Sequence, residues 1–168
     1  PSSQLQKHLT PPKHQDQFVL QLRFNEYGNA IVYGFAGSGK HEIVNAVIYS
    51  LCRHHTAEEI NIYSLDFATE STRMFLSMPQ VGDVIVSGED EKINNFIRTM
   101  NDEMEQRRKK LSTFGGNIDL YRKESGEAMP SILVVIDNYP GFAETYQEHE
   151  DELYRLIREG NRFGIWLR

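Results

Sequence analysis

Apolar residues along the chain fall into two alternating kinds of run. Short continuous runs over 30–33, 60–67, 83–86 and 131–137 have the length of buried strands. Each stops at a glycine or an acid: Gly34 after the first, Asp66 near the end of the second, Ser87-Gly88 after the third and Asp137 closing the fourth. Between them, apolar positions recur at helical spacing. Ile43, Val44, Val47, Ile48 and Leu51 predict a helix over about 39–54. Ile93, Phe96, Ile97, Met100, Met104 and Leu111 predict the longest helix, over 89–114, with Gly115-Gly116 as its stop. Weaker patterns predict an edge strand over 18–22, a short helix over 69–78 closed by Pro79 and a helical turn over 118–123. Leu153, Leu156 and Ile157 predict a helix over 148–160, and a last strand starts in 163–167. Strands alternating with helices predict an α/β fold with a largely parallel sheet. The pattern stops inside its last strand. The expectation is therefore a domain over 18–168, incomplete at its C-terminus, behind a polar, proline-containing arm over 1–17.

Composition narrows the classes. An apolar fraction of 39% and an aromatic fraction of 11% suffice for a packed core and exceed what disordered chains carry. The net charge of −6 argues against a nucleic-acid partner, which selects basic surfaces. Cys52 is the single cysteine, which excludes an intrachain disulfide and a multi-cysteine zinc site and suits a reducing, cytosolic setting. No run of about 18 apolar residues offers a membrane span.

The candidate chemistry starts at Gly34, where GFAGSGKH follows a predicted strand and opens a predicted helix. A P-loop reads Gly, any four residues, Gly, Lys, then Ser or Thr. Its glycines let backbone N–H groups wrap phosphate oxygens, the helix start adds partial positive charge, and the lysine adds a full one. Gly34, Gly37, Ser38, Gly39, Lys40 and His41 are the candidate nucleotide-binding residues, with ATP and Mg²⁺ as the cofactors such a site takes. The last position, His41, departs from the pattern. It offers an imidazole where a hydroxyl would bind Mg²⁺, a cation that prefers hard oxygen ligands.

P-loop ATPases also need an acid at the end of another strand to orient Mg²⁺ and its water. Asp137, after Ile132 to Ile136, is the candidate for that metal and catalytic role. The next residue, where a glutamate often acts as general base, is Asn138, and an amide cannot take a proton from water. Taken alone, Asp137-Asn138-Tyr139-Pro140-Gly141 also reads as a plain turn after a strand. Asp66 ends a strand too and could face a ligand or simply leave the sheet. Arg107-Arg108-Lys109-Lys110 reads better as a solvated helix face, with Glu103 and Glu105 before it, than as a nucleic-acid patch. His54-His55 reads as surface, and Trp166 and the tyrosines as core or interface.

These stretches together resemble an ATPase module of the FtsK/SpoIIIE type, and more closely the EssC/YukB/EccC coupling proteins of type VII (ESX) secretion. The likeness is carried by GNAIVYGFAGSGKHEIVNAVIYSL, by INIYSLDF, by the segment from Ile93 to Tyr139 and by REGNRFGIW. It implies a RecA/FtsK-like P-loop NTPase fold. It implies a place in a large membrane-anchored chain, with several ATPase modules in series on the cytoplasmic side. The implied partners are those other modules, the secretion machinery and small helical-hairpin substrates with a Trp-Xaa-Gly motif, with no nucleic acid. Degenerate nucleotide sites are frequent among the downstream modules of this family. The implied role is a module that serves substrate recognition, regulation or assembly with weak or no ATP hydrolysis. A working ATP hydrolase and a DNA translocase module are the alternatives.

Overall fold

The computed structural model describes residues 28–167 apart from Tyr33 and Ala36. The expected arm over 1–17 and the expected edge strand over 18–22 lie outside the described residues.

Among the described residues, five α-helices and four strands follow the alternation of the sequence: α1 (Lys40–His54), β1 (Ile60–Asp66), β2 (Val81–Val86), α2 (Asp90–Ser112), α3 (Ile118–Ser125), β3 (Ser131–Asp137), α4 (Tyr139–Thr145), α5 (Glu150–Glu159) and β4 (Ile165–Leu167). The four strands form one parallel sheet in the order β2-β1-β3-β4. Parallel neighbours need crossovers, and helices supply them on both faces, which explains why the strands read as continuous apolar runs.

The two faces are visible within β3. Ile132 and Val134 pack with Ile93, Phe96, Met100 and Leu153 on one side. Leu133 and Val135 pack with Ile48, Phe75 and Val84 on the other. The one-residue alternation divides α2 and α5 from α1, as the period of a strand requires.

Three expectations change. The short helix over 69–78 contracts to a 3-10 turn, Ser71–Phe75, wound around Asp66. Where the sequence offers a plain turn after β3 as one alternative, the chain forms the helix α4, with Asn138 at its N-cap and Pro140 at its second helical position. The strand expected over 30–33 is not formed at its described residues 30–32. Asn29 instead docks this segment beside β4 with its side chain, donating to the Ile157 carbonyl at 2.6 Å and accepting from the Leu167 N–H at 3.0 Å.

Candidate functional site

The glycine-rich loop bends where its residue types allow. Gly37 and Gly39 take φ values of 76° and 81°, conformations that a side chain disfavours, and Gly39 is the N-cap of α1. The Ser38 N–H closes a turn onto the Phe35 carbonyl at 3.1 Å. Lys40, the first residue of α1, points back over the loop. Its ammonium donates to the Gly34 carbonyl and, at 2.9 Å, to the Phe35 carbonyl. Phe35 projects from the loop with 91% of its surface exposed. The cation expected to face phosphate is thus held by the loop's own carbonyl oxygens.

Asp66 and Asp137 end adjacent parallel strands and stand directly opposite each other in the register. Their environments differ. Asp66 is fully buried, and its carboxylate accepts from the N–H groups of Ala68, Glu70 and Thr72 and from the Thr72 hydroxyl. Thr72 gives its one proton to Asp66, so the Ser64 hydroxyl donates to Thr72 across 2.9 Å. Asp66 organises the turn after β1, the plainer of its two sequence alternatives.

Asp137 is 9% exposed, and its Oδ2 is buried without a hydrogen-bond partner among the described residues. Burial pushes its carboxyl pKa above the ordinary range, and the Asp66 charge pushes it further. His41, the Asn138 N–H and Lys40 act in the opposite direction without reversing the shift. The structure therefore brings Lys40, His41 and Asp137 into one electrostatic neighbourhood at the C-terminal edge of the sheet, where α/β folds place their ligands.

Asn138 has left-handed backbone angles, φ 64° and ψ 59°. Its side-chain oxygen accepts from the Gly141 N–H at 3.3 Å and its amide donates to the Phe67 carbonyl at 3.1 Å. The Phe67 N–H in turn donates to the Asp137 carbonyl at 3.1 Å. The Asn138 amide thus caps α4 and ties the end of β1 to the end of β3. A Cβ at Gly141 would approach the Asn138 Nδ2 to 2.5 Å, so the cap also depends on that glycine.

Phosphate and Mg²⁺ make different demands on these residues. Polyphosphate needs N–H groups and a cation, which the left-handed glycines, the start of α1 and Lys40 provide. Mg²⁺ needs several hard oxygen donors in octahedral geometry. Here the hydroxyl position holds His41, whose Nε2 lies 3.1 Å from Glu42 Oε1. Asp137 offers a carboxyl whose Oδ2 is unpaired among the described residues and whose pKa burial raises. The loop residues fit a polyphosphate, and His41 offers Mg²⁺ no hydroxyl oxygen.

Elsewhere, the basic run divides. Arg108, Lys109 and Lys110 are on the surface, but Arg107 is 2% exposed. It donates to Glu103 at 2.7 Å and to the carbonyls of Phe163 and Pro130 at 2.8 and 2.7 Å. Its two carbonyl partners precede β4 and β3 and come from remote parts of the chain, so local sequence carries no signal of its burial. His54 and His55 are on the surface as expected, Tyr121 and Tyr146 are core, and Trp166 is half-buried.

Residues 2–160 match the FtsK/SpoIIIE family, and the chain belongs to it. It is 29% identical over 164 residues to the type VII secretion system protein EssC of Staphylococcus aureus strain MRSA252, covering 96% of this chain and 11% of that protein. It is 31% identical over 157 residues to EssC of S. aureus strain NCTC 8325, covering 92% and 10%. To the ESX secretion system protein EccC of Geobacillus thermodenitrificans it is 28% identical, covering 93% and 11%. The chain spans about a tenth of the length of these relatives. Among solved structures, EssC ATPases 2 and 3 from G. thermodenitrificans superpose with a TM-score of 0.80 at 28% identity, over 85% of this chain and 28% of that one. Thermomonospora curvata EccC ATPases 2 and 3, in complex with a signal sequence peptide, give 0.74 at 25% identity, over 80% and 25%. The fold is therefore that of a P-loop NTPase, and the chain is homologous to EssC and EccC ATPase domains.

Proposed function

We propose that this FtsK/SpoIIIE chain is a degenerate ATPase module of a type VII secretion coupling protein. It keeps the loop that holds polyphosphate, and it contributes to substrate recognition, regulation or assembly of the export motor with weak or no ATP hydrolysis.

The observation that carries this conclusion is the engagement of Asn138. Hydrolysis needs a group that accepts a proton from the attacking water. The residue at that position is an amide with its oxygen on the Gly141 N–H and its nitrogen on the Phe67 carbonyl. His41 removes the metal's hydroxyl ligand independently, on another element. In this scheme Lys40 leaves the Gly34 and Phe35 carbonyls to meet the outer phosphates. Gly37, Ser38 and Gly39 supply the surrounding backbone. Asp137 adds a carboxyl whose pKa is raised by burial and by the Asp66 charge.

The partners that follow are other ATPase modules of the same parent chain, the secretion machinery and helical-hairpin Trp-Xaa-Gly substrates. The module would stand on the cytoplasmic side of the membrane through its parent. No helix among the described residues is long and apolar enough to cross a bilayer. That the T. curvata relative was solved with a signal sequence peptide supports a peptide-handling role.

Equilibrium ATP binding with and without Mg²⁺, measured beside ATP turnover, tests the proposal. The expected result is binding that Mg²⁺ changes little, with turnover at background. Tight Mg²⁺-dependent binding with turnover would establish a working hydrolase. Duplex-DNA binding at physiological salt would favour a translocase module, against which the net charge of −6 counts.

A further inference from the structure

A second site lies at the opposite end of the sheet. Arg107 bonds the residues just before β3 and β4, which marks the N-terminal strand edge. From there the length of β3 puts Asp137 about 20 Å away. At this edge the last turns of α2 and α5 and the turn Gly160–Phe163 border an open cavity of about 560 Å³ lined by Arg108, Arg158, Glu159, Arg162 and Phe163.

Charge is unbalanced here in a chain that is acidic overall. Three guanidiniums, of Arg108, Arg155 and Arg158, share two carboxylates, of Glu105 and Glu159, and Arg162 adds a fourth to the lining. Glu159 alone is within 3.1 Å of Arg108, 3.3 Å of Arg158 and 3.8 Å of Arg155. A hydrogen bond from Arg158 and the charges of all three hold its carboxyl below the usual range. Arg162 has no ion pair with any described residue. The Arg108 guanidinium lies 5.5 Å from the Phe163 ring centroid, which orients its plane before any ligand arrives.

We propose that this cavity binds a carboxylate-rich segment of a partner polypeptide, with Arg158 and Arg162 as the principal anchors and Phe163 as an apolar floor. Planar guanidinium forks match carboxylates in bidentate geometry. Glu159, standing among them, selects the class. It repels a dianionic phosphate group more than it repels a single carboxylate. This site is independent of the nucleotide loop, so its outcome does not depend on whether that loop binds or hydrolyses ATP.

Fluorescence anisotropy of a fluorescein-labelled hexaglutamate peptide, with the full chain at low salt, provides the test. Binding is expected to weaken about tenfold in Arg158→Glu/Arg162→Glu. These two side chains are exposed, and an unchanged thermal midpoint is expected to accompany the loss. Glu159→Gln should tighten binding several-fold, a change of sign that misfolding cannot produce. Equal affinity of the wild type and the double variant, or no tightening in Glu159→Gln, would overturn the proposal. So would displacement of the peptide by inorganic pyrophosphate or by a thymidine oligonucleotide at lower concentration. Concentration-dependent self-association abolished by the double variant would overturn it too, by making a second copy the occupant.

Discussion

Asp66 and Asp137 are register partners at the ends of two neighbouring parallel strands, yet one carboxylate accepts four hydrogen bonds and the other keeps an oxygen with none among the described residues. The turn Ser71–Phe75 curls back under Asp66 and satisfies it. Asp137 is followed by Asn138, whose side chain is directed to Gly141 and Phe67. The buried charge of Asp66 then raises the cost of ionising Asp137.

That asymmetry has a pH signature. A carboxyl whose pKa is raised on folding costs stability when it is ionised. The cost is complete above the folded pKa and vanishes below the ordinary value of 3.8, where folded and unfolded chains both carry the proton. Asp137→Asn should therefore melt higher than the wild type at neutral pH, with the gap closing as the pH falls toward that value. Thermal melts across the acid range check this; a gap independent of pH would contradict the assignment.

Restoring the hydroxyl at the loop separates metal binding from chemistry. His41→Thr should make ATP affinity Mg²⁺-dependent by about tenfold, equivalent to about 1.4 kcal/mol. Turnover should stay at background, because Asn138 still accepts no proton. Calorimetric titration beside a phosphate-release assay reads both.

Asn138→Glu is not expected to regain hydrolysis. A glutamate disfavours φ near 64° and cannot donate to the Phe67 carbonyl, so it loses the tie between β1 and β3. The expected cost is about 1–3 kcal/mol, measured by urea denaturation. Recovered Mg²⁺-ATP turnover at undiminished stability would contradict the structural role of the amide.

Arg107→Ala should be among the more damaging single changes. It leaves the carbonyls of Phe163 and Pro130 without their guanidinium donor and Glu103 without its ion-pair partner, at a position where the arginine itself is buried. A loss of about 3–5 kcal/mol is expected, while Arg108→Ala on the surface should cost under about 1 kcal/mol. Denaturant midpoints for the two neighbours make the comparison.

The division between sequence and structure follows the range of the forces involved. Strand β3, the helix beginning at Lys40 and the long helix α2 could be read from the chain because their signals are periodic burial and local turn chemistry, each complete within about 25 residues. The turn of the glycine loop into a helix and the place of Asp137 at a strand end are legible for the same reason. Folding decided what depends on residues far apart in the chain. It set Asp66 against Asp137 across 71 positions, as far apart as Asn138 is from Phe67. It buried Arg107 within a run that local charge pattern assigns to solvent, and it gathered arginines from α2 and α5 around Phe163. Burial and partner charge control ionisation and hydrogen bonding, and both are properties of the packed sheet rather than of any segment alone.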